Sequence, residues 1–259
     1  MNPDWLQPQW PAPPRVRALC TTRSGGTSSG AYDSLNLGEH VGDAPAAVAD
    51  NRATLAKALG VRPVFLSQVH GDEVAALTPS SPDGQVADAA ITRQTDVACT
   101  VMVADCLPVL LTDRQGRRVA AAHAGWRGLA GAGGYGVLES TYKAFRAPAL
   151  DGIGVVAIEI IAWLGPCIGP QAFEVGDEVR QAFVAHNPAA ADMFAAGAPG
   201  KWWANLAGLA RQRLAALGVQ QVFGNDGSPA WCTVSQSSRF FSHRRDRVSG
   251  RMAACIWLV

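Results

Sequence analysis

The sequence predicts one α/β (α+β) domain spanning residues 1–259, with a mixed β-sheet core and flanking helices. Three observations predict it. β-rich apolar runs alternate irregularly with segments of helical spacing. No internal repeat and no long linker marks a boundary. At 259 residues with 48% apolar and only 17% charged side chains, the chain can bury a large core.

Residues 16–22 read as a strand that runs into a Gly/Ser-rich loop over 24–32 and a further loop segment at 34–38. A helix is expected to start at Asp43-Ala44-Pro45, with proline in the first turn, continue to Ala58 and stop at Gly60. Residues 64–69 form a β-rich run, followed by 73–77 after a Gly71-Asp72 turn. Strands are expected at 98–103, 109–112 and 119–123, the last broken by Gly125, with a helix over 138–145. Residues 155–163 read as a buried strand ending at Gly165-Pro166. Helical spacing covers 177–186 and 206–217, the second stopping at Gly218, and 219–223 and 252–258 read as strands.

Twenty-two basic and 21 acidic residues leave a formal net charge of +1. That balance excludes an electrostatic search for nucleic acid or membrane, while a small phosphate-bearing ligand needs only a few local arginines. The most apolar stretches, 97–111 and 155–164, are interrupted by Asp105 and Glu159 and are too short to span a bilayer. Residues 1–14 are Pro- and Trp-rich with no apolar run, so no targeting segment is expected. The six cysteines form no C-x-x-C pair and read as reduced thiols of a cytoplasmic protein. Nothing in the sequence defines an oligomeric state.

Two of the five histidines end expected strands just before a glycine or an Ala-Gly pair. They are His70 in Ser67-Gln68-Val69-His70-Gly71 and His123 in His123-Ala124-Gly125-Trp126-Arg127-Gly128. Cys106 is placed similarly, in Ala104-Asp105-Cys106-Leu107-Pro108, with Pro108 favouring a turn or strand break. Strand ends present side chains to clefts, so the three could converge. Their separations match no short zinc signature. On spacing alone, two satisfied polar histidines and a core thiol are the favoured explanation.

Read together, these segments resemble the YfiH-like family, also called the laccase-domain or polyphenol-oxidase-type proteins, over nearly the whole chain. The motifs that carry the resemblance run in order from Thr21-Thr22-Arg23-Ser24-Gly25-Gly26 and Ser34-Leu35-Asn36-Leu37-Gly38 through the His70, Cys106 and His123 segments. Leu164-Gly165-Pro166, Phe240-Phe241-Ser242, Arg244-Arg245-Asp246 and Gly250-Arg251-Met252 complete the set. The resemblance implies Zn²⁺ bound by His70, Cys106 and His123. It implies phosphorolysis of adenosine, inosine, guanosine and methylthioadenosine to base and ribose 1-phosphate, plus adenosine deamination. It also implies a fold similar to a group of cysteine hydrolases.

Chemistry is consistent with that carry-over. Three protein ligands leave one tetrahedral position open, and zinc brings the pKa of a bound water to about 7. The zinc nucleobase deaminases carry an H-x-E motif that is absent here. Asp105 is the candidate proton-transfer or orienting group beside Cys106. Arg23, in its Arg-Ser-Gly-Gly loop, is the first candidate for phosphate or nucleoside positioning, because guanidinium binds phosphate oxygens bidentately. Asn36 is the second, as a partner of ribose or base, against an Asx-type loop stabiliser. Gln68, Arg127 and Arg244 complete the candidate substrate contacts.

His243 stands where the family commonly has Tyr, and Asn205 where Asp is usual. Residues 131–136 resemble a short insertion, and Cys167 occupies a variable site. Three other readings stay open, one of them a non-catalytic binding module that would hold stoichiometric zinc and turn over no nucleoside. A copper oxidase would share the His₂Cys donors, with Met102 the nearest methionine to Cys106, but a laccase needs more imidazoles than five. A metal-free cysteine hydrolase, an amidase editing cell-wall precursors, would use Cys106 as nucleophile and His123 as base.

Overall fold

Two β-sheets stacked face to face, with helices outside each, position the strand ends where the candidate residues lie. The computed structural model describes residues 2–147 and 158–259. The first sheet holds β1 (Val16–Cys20), β2 (Arg62–Phe65), β5 (Val97–Val103) and β13 (Met252–Leu258), in the order β1-β13-β5-β2. The second holds β3 (Val74–Ala76), β4 (Ala89–Thr92), β6 (Leu107–Asp113), β7 (Val119–Ala124), β8 (Ile160–Leu164) and β12 (Gln221–Gly224), in the order β12-β8-β6-β7-β4-β3. Both sheets are mixed. Parallel pairs β2·β5, β3·β4 and β8·β12 join otherwise antiparallel ladders.

Period-two alternation assigns each strand face to a different core layer. Val97, Cys99 and Val101 of β5, Ala254 and Ile256 of β13, Leu110 of β6 and Ala121 of β7 meet between the sheets. The alternate residues Ala98, Met102, Ala253, Cys255 and Trp257 face outward onto Leu55 and Leu59 of α1 (Pro45–Leu59). On the other side, Leu107, Val109, Leu111, Ala120, Ala122 and Ala124 pack against α3 (Val137–Arg146), α4 (Asp177–Val184) and α5 (Leu206–Ala216). The layers therefore run helix, sheet, sheet, helices. Strands buried on both faces read as continuous apolar runs, the pattern of 97–111 in the sequence.

Local signals end the helices as expected. Gly60 adopts a left-handed φ of +71° and donates its N–H to Ala56 O, closing α1. The Asn205 side chain accepts the Gly208 N–H at 2.9 Å and caps α5. An amide oxygen serves this cap as a carboxylate would, which accounts for asparagine there.

The structure departs from the expected elements in five places. β4 escapes the pattern because Ala89-Ala90-Ile91-Thr92 is only four residues long and buried on both faces. β9 (Glu174–Gly176), β10 (Phe194–Ala196) and β11 (Lys201–Ala204) form a separate small sheet too short to show periodicity. The expected strand at 64–69 instead runs from Arg62 to Phe65; beyond it Ser67 N donates to Gln85 O at 2.9 Å, and the N–H groups from Val69 onward go to a carboxylate. Short helices α2 (Trp126–Ala130) and α6 (His243–Asp246) follow Gly125 and Ser242. The expected strand at 155–163 begins at Ile160; residues 155–157 lie outside the described residues. Among the described residues, no helix is long and apolar enough to cross a membrane.

Candidate metal centre

His123 is the penultimate residue of β7, and the ladder pairs it with Pro108 and pairs Ala124 with Leu107 of β6. Cys106, one residue before β6, is thereby brought beside the end of β7. The loop after β2 supplies His70. Gln68 ties that loop to the end of β5 by donating to Met102 O at 2.8 Å and accepting from Met102 N at 2.7 Å. His70 itself has a left-handed φ of +62°, which turns its ring toward Cys106.

The donor atoms of His70, Cys106 and His123 lie within 4.8 Å of one another. His70 Nε2 is 3.6 Å from Cys106 Sγ, and the two imidazoles meet edge to face with centroids 4.8 Å apart. Gly125 faces this group. A Cβ there would come within 2.6 Å of His70 Cδ2 and 3.0 Å of Cys106 Sγ, so no side chain fits.

Asp88, fully buried just before β4, organises the cluster from behind. Its carboxylate accepts the N–H groups of Val69 (3.1 Å), His70 (2.9 Å) and Gly71 (2.7 Å), and lies 2.8 Å from His123 Nδ1. A carboxylate that only accepts requires Nδ1 to carry a proton, which turns His123 Nε2 toward Cys106 and the open space. Sequence reasoning missed Asp88, and an Asp before an unrecognised four-residue strand carried no local signal.

Charge and hydrogen bonding shift the group strongly. Burial pushes the Cys106 thiol up, but the His123 charge and hydrogen bonds from both imidazoles outweigh it and bring it down to about 6. Burial pushes His123 down, but the Cys106 thiolate and Asp88 outweigh it and bring it up to about 9. Burial likewise raises Asp88, and the bonds from His123, Gly71 and Val69 hold it below its ordinary value. Both shifts favour a thiolate beside an imidazolium in the metal-free pair, and a bound metal ion would take the place of the shared proton. Two nitrogens and one sulfur, converging and backed by a carboxylate on one histidine, fit a zinc- or copper-type ion.

The cluster lies in a cavity of about 620 Å³, also lined by Gln68, Met102, Asp105, Trp126, Phe173 and Arg244. His40, His243, Arg247 and Arg251, which sequence reasoning had not assigned to the site, line it as well. Asp105 has a left-handed φ of +89° and accepts from Thr233 Oγ1 at 2.6 Å and from Arg244 N at 2.6 Å, tying three loops together. Arg244 donates to Glu174 O at 3.0 Å and lies over the Phe173 ring.

Three candidate residues are not among those lining this cavity. Arg23 donates to Asp33 O at 2.8 Å and Ser237 O at 2.9 Å, stacks on Phe241 and lines a different hollow. Asn36 is fully buried; it donates to Gly38 O and Asp43 Oδ2 and accepts from Gly38 N and Arg251 N. Arg127 is exposed and lies over the Trp126 ring, whose indole does line the cavity.

Fold and site together define a mixed α/β protein with a His₂Cys metal-type cluster inside an arginine-rimmed cavity. The chain belongs to the YfiH-like, laccase-domain family: residues 17–259 match the family described as multi-copper polyphenol oxidoreductase laccase. It is 51% identical, over 98% of both chains, to a Pseudomonas aeruginosa protein named a purine nucleoside phosphorylase. It is 48% identical, over 98% of both, to Escherichia coli YfiH, which carries the same activity in its name. The crystal structure of a Neisseria meningitidis protein superposes with a TM-score of 0.86 at 47% identity, covering 98% of this chain and 99% of that one.

Proposed function

We propose that this chain is a purine nucleoside phosphorylase with zinc held by His70, Cys106 and His123. The observation that carries the reading is that one cavity combines a three-donor cluster with aromatic walls and a cationic rim. The names of the relatives support the reaction class. A volume of about 620 Å³ lies within the roughly 300–1,000 Å³ usual for small-molecule sites.

Trp126 and Phe173 offer apolar faces for a purine, and the rim arginines offer charge to phosphate. In phosphorolysis a phosphate oxygen forms the bond to ribose C1′ as the C1′–N9 bond breaks, and its electron pair leaves on the purine. Zinc held by His70, Cys106 and His123 would supply a Lewis acid to this cavity. Gln68 and Asp105 hold the loops that carry His70 and Cys106, and Arg244 presents its guanidinium beside Phe173. Adenosine, inosine, guanosine and methylthioadenosine are the substrates of this reading, in one cytoplasmic catalytic domain. Adenosine deamination would use water in place of phosphate. Zinc is favoured over a multi-copper oxidase centre because His70, Cys106 and His123 form the one such donor group among the described residues.

Inosine incubated with and without phosphate tests the proposal. Hypoxanthine and ribose 1-phosphate should form only with phosphate, and activity should vanish on chelation and return with zinc. Phenol oxidation with no nucleoside turnover would overturn it.

The acid thiol beside an imidazolium favours one second reading, a metal-free hydrolase using Cys106 and His123. Full activity in chelated protein, abolished by thiol alkylation, would establish that alternative.

A further inference from the structure

Three arginines line the cavity, and two are already partly committed. Arg244 bonds Glu174 O, and Arg251 bonds Ser249 O and Gly250 O. Arg247 is exposed, and its guanidinium makes no hydrogen bond, ion pair or ring contact among the described residues. The nearby carboxylates are occupied. Asp246 is gripped twice by Arg245 at 2.7 Å, and Asp105 accepts from Thr233 and the Arg244 backbone.

The backbone at Arg247 is unusual. It caps α6 with φ +62° and ψ −56°, and Val248 N donates to Asp246 O at 2.7 Å across it. This is the positive-φ γ-turn, which is rare and strained for a residue with a Cβ. A glycine would adopt it without that penalty. Strain held by a charged, unpartnered side chain at a cavity wall points to ligand recognition.

We infer that Arg247 is the phosphate-recognising side chain of this cavity, taking the oxygens of inorganic phosphate as it attacks ribose C1′. The inference rests on the phosphorylase reading. Arg244 and Arg251 share the lining with Arg247, which gives the wall a cationic character suited to a dianion. The planar guanidinium, with all its donors free, can hold two oxygens at once.

The test compares zinc-loaded wild type with Arg247→Gln, Arg247→Gly and Arg247→Lys. At saturating inosine, Gln and Gly should raise the phosphate KM roughly ten- to a hundredfold, with the inosine KM changed less than about twofold. Lys should recover part of the loss, and Gly should unfold at the same or a higher temperature than wild type. An unchanged phosphate KM in Gln and Gly would overturn the role of Arg247 while leaving the phosphorylase reading intact. Should the wild type show no phosphorolysis, that reading fails, and phosphate binding decides Arg247 by itself. A phosphate-induced rise in melting temperature that is lost in Arg247→Gln would support it. No rise in the wild type, or an equal rise in both, would overturn it.

Discussion

Asp88 Oδ1 lies 2.8 Å from His123 Nδ1, while the same carboxylate receives the N–H groups of Val69, His70 and Gly71. One buried side chain thus orients one metal-type ligand through its ring and another through its backbone. Asp88→Asn should weaken zinc binding by roughly ten- to a hundredfold. Asp88→Ala leaves three N–H groups without their acceptor and should lower folding stability by at least about 3 kcal/mol. Chelator-competition titration and urea unfolding measure the two effects. Unchanged zinc affinity in both variants would remove Asp88 from the site.

His70→Ala, Cys106→Ala and His123→Ala should each lose zinc and nucleoside turnover yet remain folded. The cluster sits at strand ends, and the three large apolar layers lie elsewhere. Elemental analysis and circular dichroism check both halves. A Cys106→Ala protein that keeps stoichiometric zinc and full activity contradicts the ligand set.

The shifted pair sets a pH window in metal-free protein. Cys106 is lowered, so its stabilising charge is complete above the ordinary thiol range near 9 and is lost as pH falls through about 6. His123 is raised, so its contribution is complete below 6.5 and is lost as pH rises through about 9. Thiolate and imidazolium therefore coexist between about 6 and 9. Iodoacetamide should label Cys106 with a rate midpoint near pH 6, while burial holds Cys20, Cys99, Cys167 and Cys255 as inert thiols. A midpoint near 9 at Cys106, read by mass spectrometry, would remove the ion pair.

Arg23→Ala tests a loop clamp against a substrate contact. Its guanidinium is bound to two carbonyls and stacked on Phe241, so the loss should be about 1–2 kcal/mol of stability. Phosphorolysis and deamination should fall together, by less than about tenfold. A selective rise in phosphate KM would instead put Arg23 in contact with the anion.

Asn36→Ala should act through Arg251. Asn36 Oδ1 accepts Arg251 N at 2.9 Å, and Arg251 lines the cavity. Removing a fully buried amide with four partners should cost about 2–4 kcal/mol and raise KM for the substrates. Wild-type unfolding and kinetics in this variant would show that the loop holds its shape without it.

The strand-end positions of His70, Cys106 and His123 were legible from local signatures, while only the family resemblance, and not their spacing, joined them as one set. His70 and His123 precede Gly71 and Ala124-Gly125, and Cys106 precedes Pro108, so chain direction changes where the side chain must emerge. The helix limits at Pro45 and Gly60 were legible for the same reason: capping is settled within one turn. β4 and the small β9–β11 sheet were not legible, because three or four residues carry too little periodicity to separate strand from loop. Arg247 was one of several arginines in a polar segment until α6 turned it into the cavity wall.

By itself the sequence determined the α/β class, the apolar strands buried on both faces, and the residue types able to bind a metal. Those properties depend on side-chain chemistry and on neighbours a few positions away. Tertiary structure decided that Asp88 supports His123, that Cys106 stands opposite the end of β7, and that Arg23 and Asn36 brace loops away from the cavity lining. The register of β4 on β7 and of β6 on β7 creates those contacts. Register is set by packing two sheets together over long sequence separations, and that information resides in the pairing of segments, not in any one of them.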